Sequence, residues 1–227
     1  MKKDALINYL HEVEQLKTEF PGLEIYKGLE IDYIPNIINP SQFSAQLDYT
    51  IGSIHFVNTL PNGTPWEIDG TLPLFEAGLK ESYQDNINAV IHDYFTLTRE
   101  MITDYTPTIV GHLDKIKIQN AGNKFFNENE AWYQKELLET LNLIKQHECI
   151  VEVNTRGLYM NKTTSPYPSE WTLTEMRKLN IPITLNSDAH HAKDLISGFD
   201  TATRILQDVG FRKTLKLQSG RWVESAI

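Results

Sequence analysis

Short apolar runs that end on polar, ionisable residues alternate through most of this chain with amphipathic stretches of helical spacing. That alternation constrains the chain more than any single motif, because strand and helix in repeated order is the pattern of a parallel α/β layer or barrel. The segment from Asp4 to about Phe20 places Leu6, Ile7, Leu10, Val13 and Leu16 at helical spacing, and Pro21-Gly22 ends it. Strands are expected over Leu23–Ile31, with Gly28 allowing a close backbone approach, then over Tyr49–Val57, Thr108–His112, Cys149–Asn154 and Ile181–Leu185, with terminal strands near Leu215 and Trp222. Helices are expected from about Ser82 to Ile102, Glu128 to His147, Ser169 to Leu179 and Thr201 to Val209. The stretch Leu60–Gly78, rich in Pro and Gly, reads as a long loop of the kind that often forms a lid. No linker separates two apolar-rich halves, so residues 1–227 are expected to form one domain.

The formal net charge of -9 argues against a nucleic-acid surface, since phosphate contacts need clustered Lys and Arg that no segment supplies. A small anionic substrate is compatible with that charge if a few cations or metals are local. The single cysteine, Cys149, cannot form an internal disulfide, which fits a reducing cytoplasm. There is no apolar run near the length of a membrane span, and Met1-Lys2-Lys3-Asp4 lacks the apolar core of a signal peptide. A soluble, cytoplasmic protein with no membrane or nucleic-acid partner is expected.

The strand ends carry the chemistry. Five successive strands finish, in turn, on Glu30, His55, His112, Asn154 with Glu152 just before it, and Asp188 with His190. In a parallel barrel these ends share one face, so residues far apart in sequence would converge. Mixed imidazole and carboxylate donors suit Zn, Mn or Fe better than Ca or Mg. Two such ions bridged by a carboxylate can acidify a shared water, which makes hydrolysis the natural reaction. Arg156, in Asn154-Thr155-Arg156-Gly157, is placed to fork onto a phosphate, and equally to make a surface salt bridge. Lys115, Lys117 and His191 are weaker substrate-binding candidates, whereas His11, His92, His147, Cys149, Trp132, Tyr133 and Trp171 read as surface or packing groups.

The stretches Gly28-Leu29-Glu30-Ile31-Asp32-Tyr33, Ile51-Gly52-Ser53-Ile54-His55-Phe56, Gly111-His112-Leu113-Asp114, Glu152-Val153-Asn154-Thr155-Arg156-Gly157 and Ser187-Asp188-Ala189-His190 resemble the successive motifs of the polymerase and histidinol phosphatase (PHP) superfamily, in its histidinol-phosphatase branch. The resemblance runs in order through nearly the whole chain. It implies a distorted seven-stranded β/α (TIM-like) barrel, up to three divalent metal ions, and hydrolysis of L-histidinol phosphate in histidine biosynthesis. By motif, Glu30 would bridge the first two metals, His55 and His112 would complete the second site, Asp188 would bind the first, His190 the third, and Arg156 would hold the phosphate. Glu30, Asp188 and Arg156 are then the candidate catalytic residues.

Family members begin with a strand bearing His-x-His, and this chain has none, its only histidine before Glu30 being His11. The pattern starts here roughly two β/α units late, about 60 residues at about 30 per unit. Only the Glu30–His55–His112 site is expected to be complete, and a barrel lacking two strands is expected to expose an edge that promotes association or instability. A late-assigned start or a shortened chain is the preferred explanation, because the remaining motifs look undegraded. The alternatives are a non-catalytic remnant that binds metal or phosphate, and a phosphatase with another substrate such as a phosphotyrosine protein.

Overall fold

A computed structural model describes residues 3–227. Its elements in chain order are α1 (Lys3–Glu19), β1 (Gly28–Asp32), β2 (Tyr49–Ser53), β3 (Phe56–Thr59), β4 (Pro65–Glu67), α2 (Leu72–Tyr83), α3 (Ile87–Tyr105), β5 (Ile109–Val110), α4 (Ala131–Gln146), β6 (Ile150–Asn154), α5 (Arg156–Tyr159), α6 (Glu170–Leu179), β7 (Ile183–Asn186), α7 (Phe199–Asp208), β8 (Lys213–Gln218) and β9 (Arg221–Ala226).

Five of the strands form one parallel sheet in the order β1-β2-β5-β6-β7. Its register sorts the side chains by face, because neighbours in register point the same way. The row Ile31, Gly52, Val110, Val151 and Ile183 lies on one face, and all four of its side-chain-bearing members are buried beneath the helices. The opposite face carries Glu30, Asp32, Ser53, Glu152, Thr184, Asn154 and Asn186. One side of the sheet is therefore a helix-covered apolar layer, and the other, which also carries Ile51, Ile109 and Ile150, is polar toward the carboxyl ends of its strands. Since the strands are parallel, their carboxyl ends open toward the same rim. Gly28 starts β1 opposite Tyr49, where a Cβ would collide with the Tyr49 ring.

Three expected elements are replaced by shorter ones. The expected loop over Leu60–Gly78 contains the turn after β3, the strand β4 that pairs antiparallel with β3, and the first turns of α2. A tight turn closes the pair: Gly63, left-handed at φ +81°, donates to the Leu60 carbonyl, and Leu60 donates to Thr64. The stretch is no loose lid, because Trp66 and Ile68 are buried and the Trp66 ring stacks 5.3 Å from Phe75 and 5.6 Å from Tyr83. The helix expected from Ser82 to Ile102 is likewise interrupted. Gln84 and Asp85 both take positive φ, ending α2, and Asn86 then caps α3 by accepting the Ala89 N–H at 3.2 Å. The long strand expected over Tyr49–Val57 also divides, into β2 and β3, with His55 at the break.

The β1 side of the sheet is not bare. The Tyr9 hydroxyl on α1 donates to the Gly28 carbonyl at 2.6 Å. The hairpin β8–β9 packs beside β7 and reaches back across the sheet: Ser219 N–H donates to Glu24 at 2.9 Å, Gly220 N–H to the Tyr26 hydroxyl at 3.2 Å, and Trp222 meets Tyr49 edge-on at 6.1 Å. The sheet edge expected to lie open is thus partly covered by the two ends of the described chain. Among the described residues no helix is long and apolar enough to cross a membrane.

On α4, Leu137 is fully buried while its neighbour Leu138 is 36% exposed. Leu137→Ala is expected to lower unfolding free energy by about 2–5 kcal/mol through lost burial and a residual cavity. Leu138→Ala should change it by no more than about 0.5 kcal/mol, as at an ordinary surface site. Urea denaturation of both variants checks the orientation of the helix.

Candidate active site

The rim at the carboxyl ends of the parallel strands opens on a cavity of about 530 Å³ whose lining includes Glu30, His55, His112, Asp188, His190 and Arg156. Glu30 and Asp32 reach it from the polar face of β1, two residues apart and hence on the same side. His55 enters from the break between β2 and β3. Its Nδ1 donates to the Asp32 carboxylate, which can only accept, so the Nε2 lone pair faces inward. That nitrogen lies 3.7 Å from Glu30 Oε1. His112, just past the end of β5, is buried and left-handed at φ +22°, and its Nε2 lies 2.9 Å from the same Glu30 oxygen. The centroids of the two imidazoles stand 4.9 Å apart, with their planes at 63°.

One donor atom from each of Glu30, His55 and His112 falls within 4.8 Å of the other two. Donors that each sit about 2.0–2.2 Å from one tetrahedral ion are separated from each other by about 3.5 Å, so small side-chain adjustments would let the three share an ion. The donor chemistry fits as well, with neutral imidazole and carboxylate together. Partial burial pushes the Glu30 carboxyl up, but the hydrogen bond and charge of His112, with the charge of His55, override it and hold the group well below the usual carboxylate range. Burial pulls the His55 imidazole down, yet the Asp32 contact outweighs it and leaves the ring raised. The lowered carboxyl stays anionic and ready for a cation, whereas the raised imidazole holds a proton more readily and has to lose it to bind one.

A second group of residues is built around β6 and β7. Glu152, buried on the polar face, accepts the His112 backbone N–H, Asn154 Nδ2 and Asn186 Nδ2, each at 3.0 Å. Asn154 Oδ1 in turn accepts the Arg156 N–H at 2.8 Å, which turns the chain into α5. The Arg156 guanidinium donates through Nη1 to the Asp188 carbonyl at 2.8 Å and approaches His190 Nδ1 through Nη2 at 3.4 Å. Asp188, also left-handed at φ +50°, holds His190 Nε2 at 3.2 Å and accepts from Asn154 at 3.3 Å. Two non-glycine residues in the left-handed region at strand ends, His112 and Asp188, is strain of the kind found where side-chain direction matters to function.

The expected residues separate into three sets. Glu30, His55 and His112 converge within ligand distance of one another; Asp188, His190 and Arg156 make a neighbouring cluster on the same cavity. Lys115 also lines the cavity, bound to Asp69 and His55. Lys117 and His191 do not. Lys117 is buried, donating to Asp114 at 3.0 Å and to Ser165 and the Pro166 carbonyl at 3.2 Å, because the tight 3-10 turn at Lys115–Gln119 stacks it over the carboxylate three residues earlier. His191 is exposed and opens a short 3-10 turn at Ala192–Asp194 outside the cavity.

Asp32 and Asp69 are among the cavity residues that sequence reasoning passed over, with Glu67 and Lys162. The two-residue spacing from Glu30 was a usable signal for Asp32. Asp69 had none, since the β3–β4 pair alone carries it in. Burial pushes the Asp69 carboxyl up, and the adjacent Lys115 ammonium outweighs this and lowers it.

The PHP domain family model matches residues 3–156 of this chain. The histidinol-phosphatase of Bacillus subtilis is 29% identical over 208 residues, spanning 86% of this chain and 74% of the relative. The probable histidinol-phosphatase of Schizosaccharomyces pombe is 24% identical over 221 residues, spanning 93% and 69%. Among solved structures, hisK from Listeria monocytogenes superposes with a TM-score of 0.75 at 20% identity, covering 88% of this chain and 77% of that one. Histidinol phosphate phosphatase from Lactococcus lactis, complexed with Zn, L-histidinol and phosphate, gives 0.68 at 22%, covering 96% and 79%.

Glu152→Ala would strip one acceptor from three buried donors. Unfolding free energy is expected to fall by about 2–5 kcal/mol, since each orphaned donor costs about 1–3 kcal/mol before relaxation. Glu152→Gln, which keeps a carbonyl oxygen, should lose visibly less in the same urea titration. Equal losses would mean that the volume of the side chain matters and its acceptors do not.

Proposed function

The chain belongs to the PHP domain family, and from that we propose that it is a metal-dependent histidinol-phosphatase, releasing phosphate from L-histidinol phosphate. The observation that carries the reading is the convergence of Glu30, His55 and His112 on a cavity that also presents the Arg156 guanidinium. The relatives named histidinol-phosphatase supply the substrate. The model of the family covers more than half of the chain, and the fold matches two solved members.

In this reading Glu30, His55 and His112 hold one divalent ion, with Zn, Mn and Fe all suited to the donor set, and Asp188 and His190 contribute ligands to further ions. When bound, such an ion supplies Lewis acidity toward a phosphoryl oxygen and lowers the pKa of a water. The chain's own residues do the rest. Asp32 fixes the His55 ring so that Nε2 faces the cavity, the outer-shell arrangement that orients metal-binding imidazoles. Arg156, steadied by the Asp188 carbonyl and the Tyr159 hydroxyl, offers its guanidinium to the phosphate as a two-pronged donor. The His190 ring is held by Asp188 at the mouth of the cavity as a ligand to a further ion, and a separate protonated group or a water assists the leaving alkoxide.

We read the five-stranded parallel sheet with its outer helices as part of a β/α barrel of the seven-stranded PHP type, acting as a single domain in the cytoplasm. The substrate is small and phosphorylated, and its product enters histidine biosynthesis.

Metal-reconstituted protein should release phosphate from L-histidinol phosphate faster than from an unrelated phosphomonoester, and should lose activity on chelation. Asp188→Ala should abolish turnover. Arg156→Ala should raise KM by about tenfold to a hundredfold, the weight of one charge-assisted contact. A phosphate-release assay that persists through chelation and Asp188→Ala together would overturn the proposal. Preference for a phosphotyrosine peptide would keep the metal hydrolase and replace its substrate.

A further inference from the structure

Lys115 follows His112 by three residues and opens a 3-10 turn beneath the rim, with its side chain largely buried. Among the described residues its ammonium has two partners, Asp69 Oδ2 at 2.7 Å and His55 Nε2 at 2.9 Å. The second contact is the informative one. His55 has committed Nδ1 to Asp32, so Nε2 is the nitrogen left to bind an ion, and it is aimed toward Glu30 Oε1. An ammonium hydrogen bonded to that lone pair and a metal bonded to it, at about 2.0–2.1 Å, are mutually exclusive.

We infer that Lys115 is a built-in competitor for the ion at the Glu30–His55–His112 site: its ammonium occupies His55 Nε2, and loading requires it to withdraw onto Asp69. The inference rests on the metal-site reading proposed above. Three observations support it. The ammonium sits on the donor nitrogen itself, which a phosphate-binding lysine has no reason to do. Asp69 holds the same ammonium from another direction, so the side chain has a place to stay once the imidazole is taken. Glu30, Asp32 and Asp69 bring three carboxylates to this corner of the cavity, and a resident cation offsets their repulsion when no ion does. Lys115 is thus a positioning residue for the ion rather than a ligand, and it raises the threshold that an ion's affinity for imidazole has to exceed.

Zn²⁺ titrated into the metal-free full chain against a chromophoric chelator, at one fixed and mildly alkaline pH, reads the competition directly. Lys115→Met should lower the Zn²⁺ dissociation constant by about tenfold or more, the equivalent of one displaced hydrogen bond and one cation removed from the site. That variant also frees the Asp69 charge, so Lys115→Met with Asp69→Asn supplies the charge-balanced comparison. It should still bind more tightly than wild type, by roughly threefold or more. Thermal melts establish that each variant folds, and Lys115→Ala replaces Lys115→Met where the latter does not. Unchanged or weaker binding without the ammonium overturns the inference, as does a return of the double variant to the wild-type constant, which would mean general electrostatics without competition. Zn²⁺ binding by the Lys115 variants alone supports it. Zn²⁺ binding by none of the proteins overturns the metal-site reading and the competitor with it, and is distinguishable from the first outcome, in which wild type binds and only the difference is missing.

Discussion

The Glu152 carboxylate is the interaction on which the rim depends. It is buried on the polar face of β6, where an isolated carboxylate would be costly, and it accepts three hydrogen bonds from three different places: the backbone just past β5, the end of β6 and the end of β7. By accepting the His112 N–H it holds that residue in its left-handed turn, and so aims the ring at Glu30. By engaging Asn154 it fixes the side chain that contacts both Arg156 and Asp188, and by engaging Asn186 it ties in the end of β7. One buried charge thereby couples the two halves of the cavity.

The sheet makes this possible by being two-faced. Its outer face is the apolar row through Ile31, Val110, Val151 and Ile183, sealed by helices, and that packing carries most of the stabilisation. The inner face carries Ile51, Ile109 and Ile150 in one row and is free to be polar beyond it, toward the carboxyl ends. Parallel strands rarely leave a face without apolar cover, and here the inner groups are satisfied by one another, which is how a polar face is tolerated away from bulk water. A cavity lined by carboxylates, imidazoles and a guanidinium follows from that division. The PHP family membership agrees with it, since a hydrolase working through divalent cations needs many donors close together and a rigid backing that keeps them apart when no ion is bound.

The candidate site was legible where its residues sit at the ends of regular strands. Glu30 lies on the polar face of β1, and His55, His112, Asp188 and His190 follow the ends of β2, β5 and β7, ends that parallel topology brings to one rim whatever the length of the connections. Arg156 was legible for the same reason, one turn beyond β6. Lys117 lies off the cavity, because a chain position next to a strand end does not say which way the following turn rotates. A 3-10 turn carried it onto Asp114 and away from the cavity. Asp69 was not seen at all, because it arrives on a small antiparallel pair whose turn signal, Asn62-Gly63, looks like any loop.

By itself the amino-acid order determined the alternation of strand and helix, the apolar side of each strand, and the donor types waiting at the rim, because side-chain period and polarity are local properties of a run of residues. Only the tertiary structure decided which donors share an ion-sized space, that Gln84 and Asp85 break one expected helix into two, and that the hairpin β8–β9 reaches back to Glu24 and Tyr26. It alone placed the Lys115 ammonium on His55 and Asp69. Those outcomes depend on contacts between segments tens to hundreds of residues apart, whose distances are set by how all the strands and helices pack at once, and no local pattern of residues encodes them.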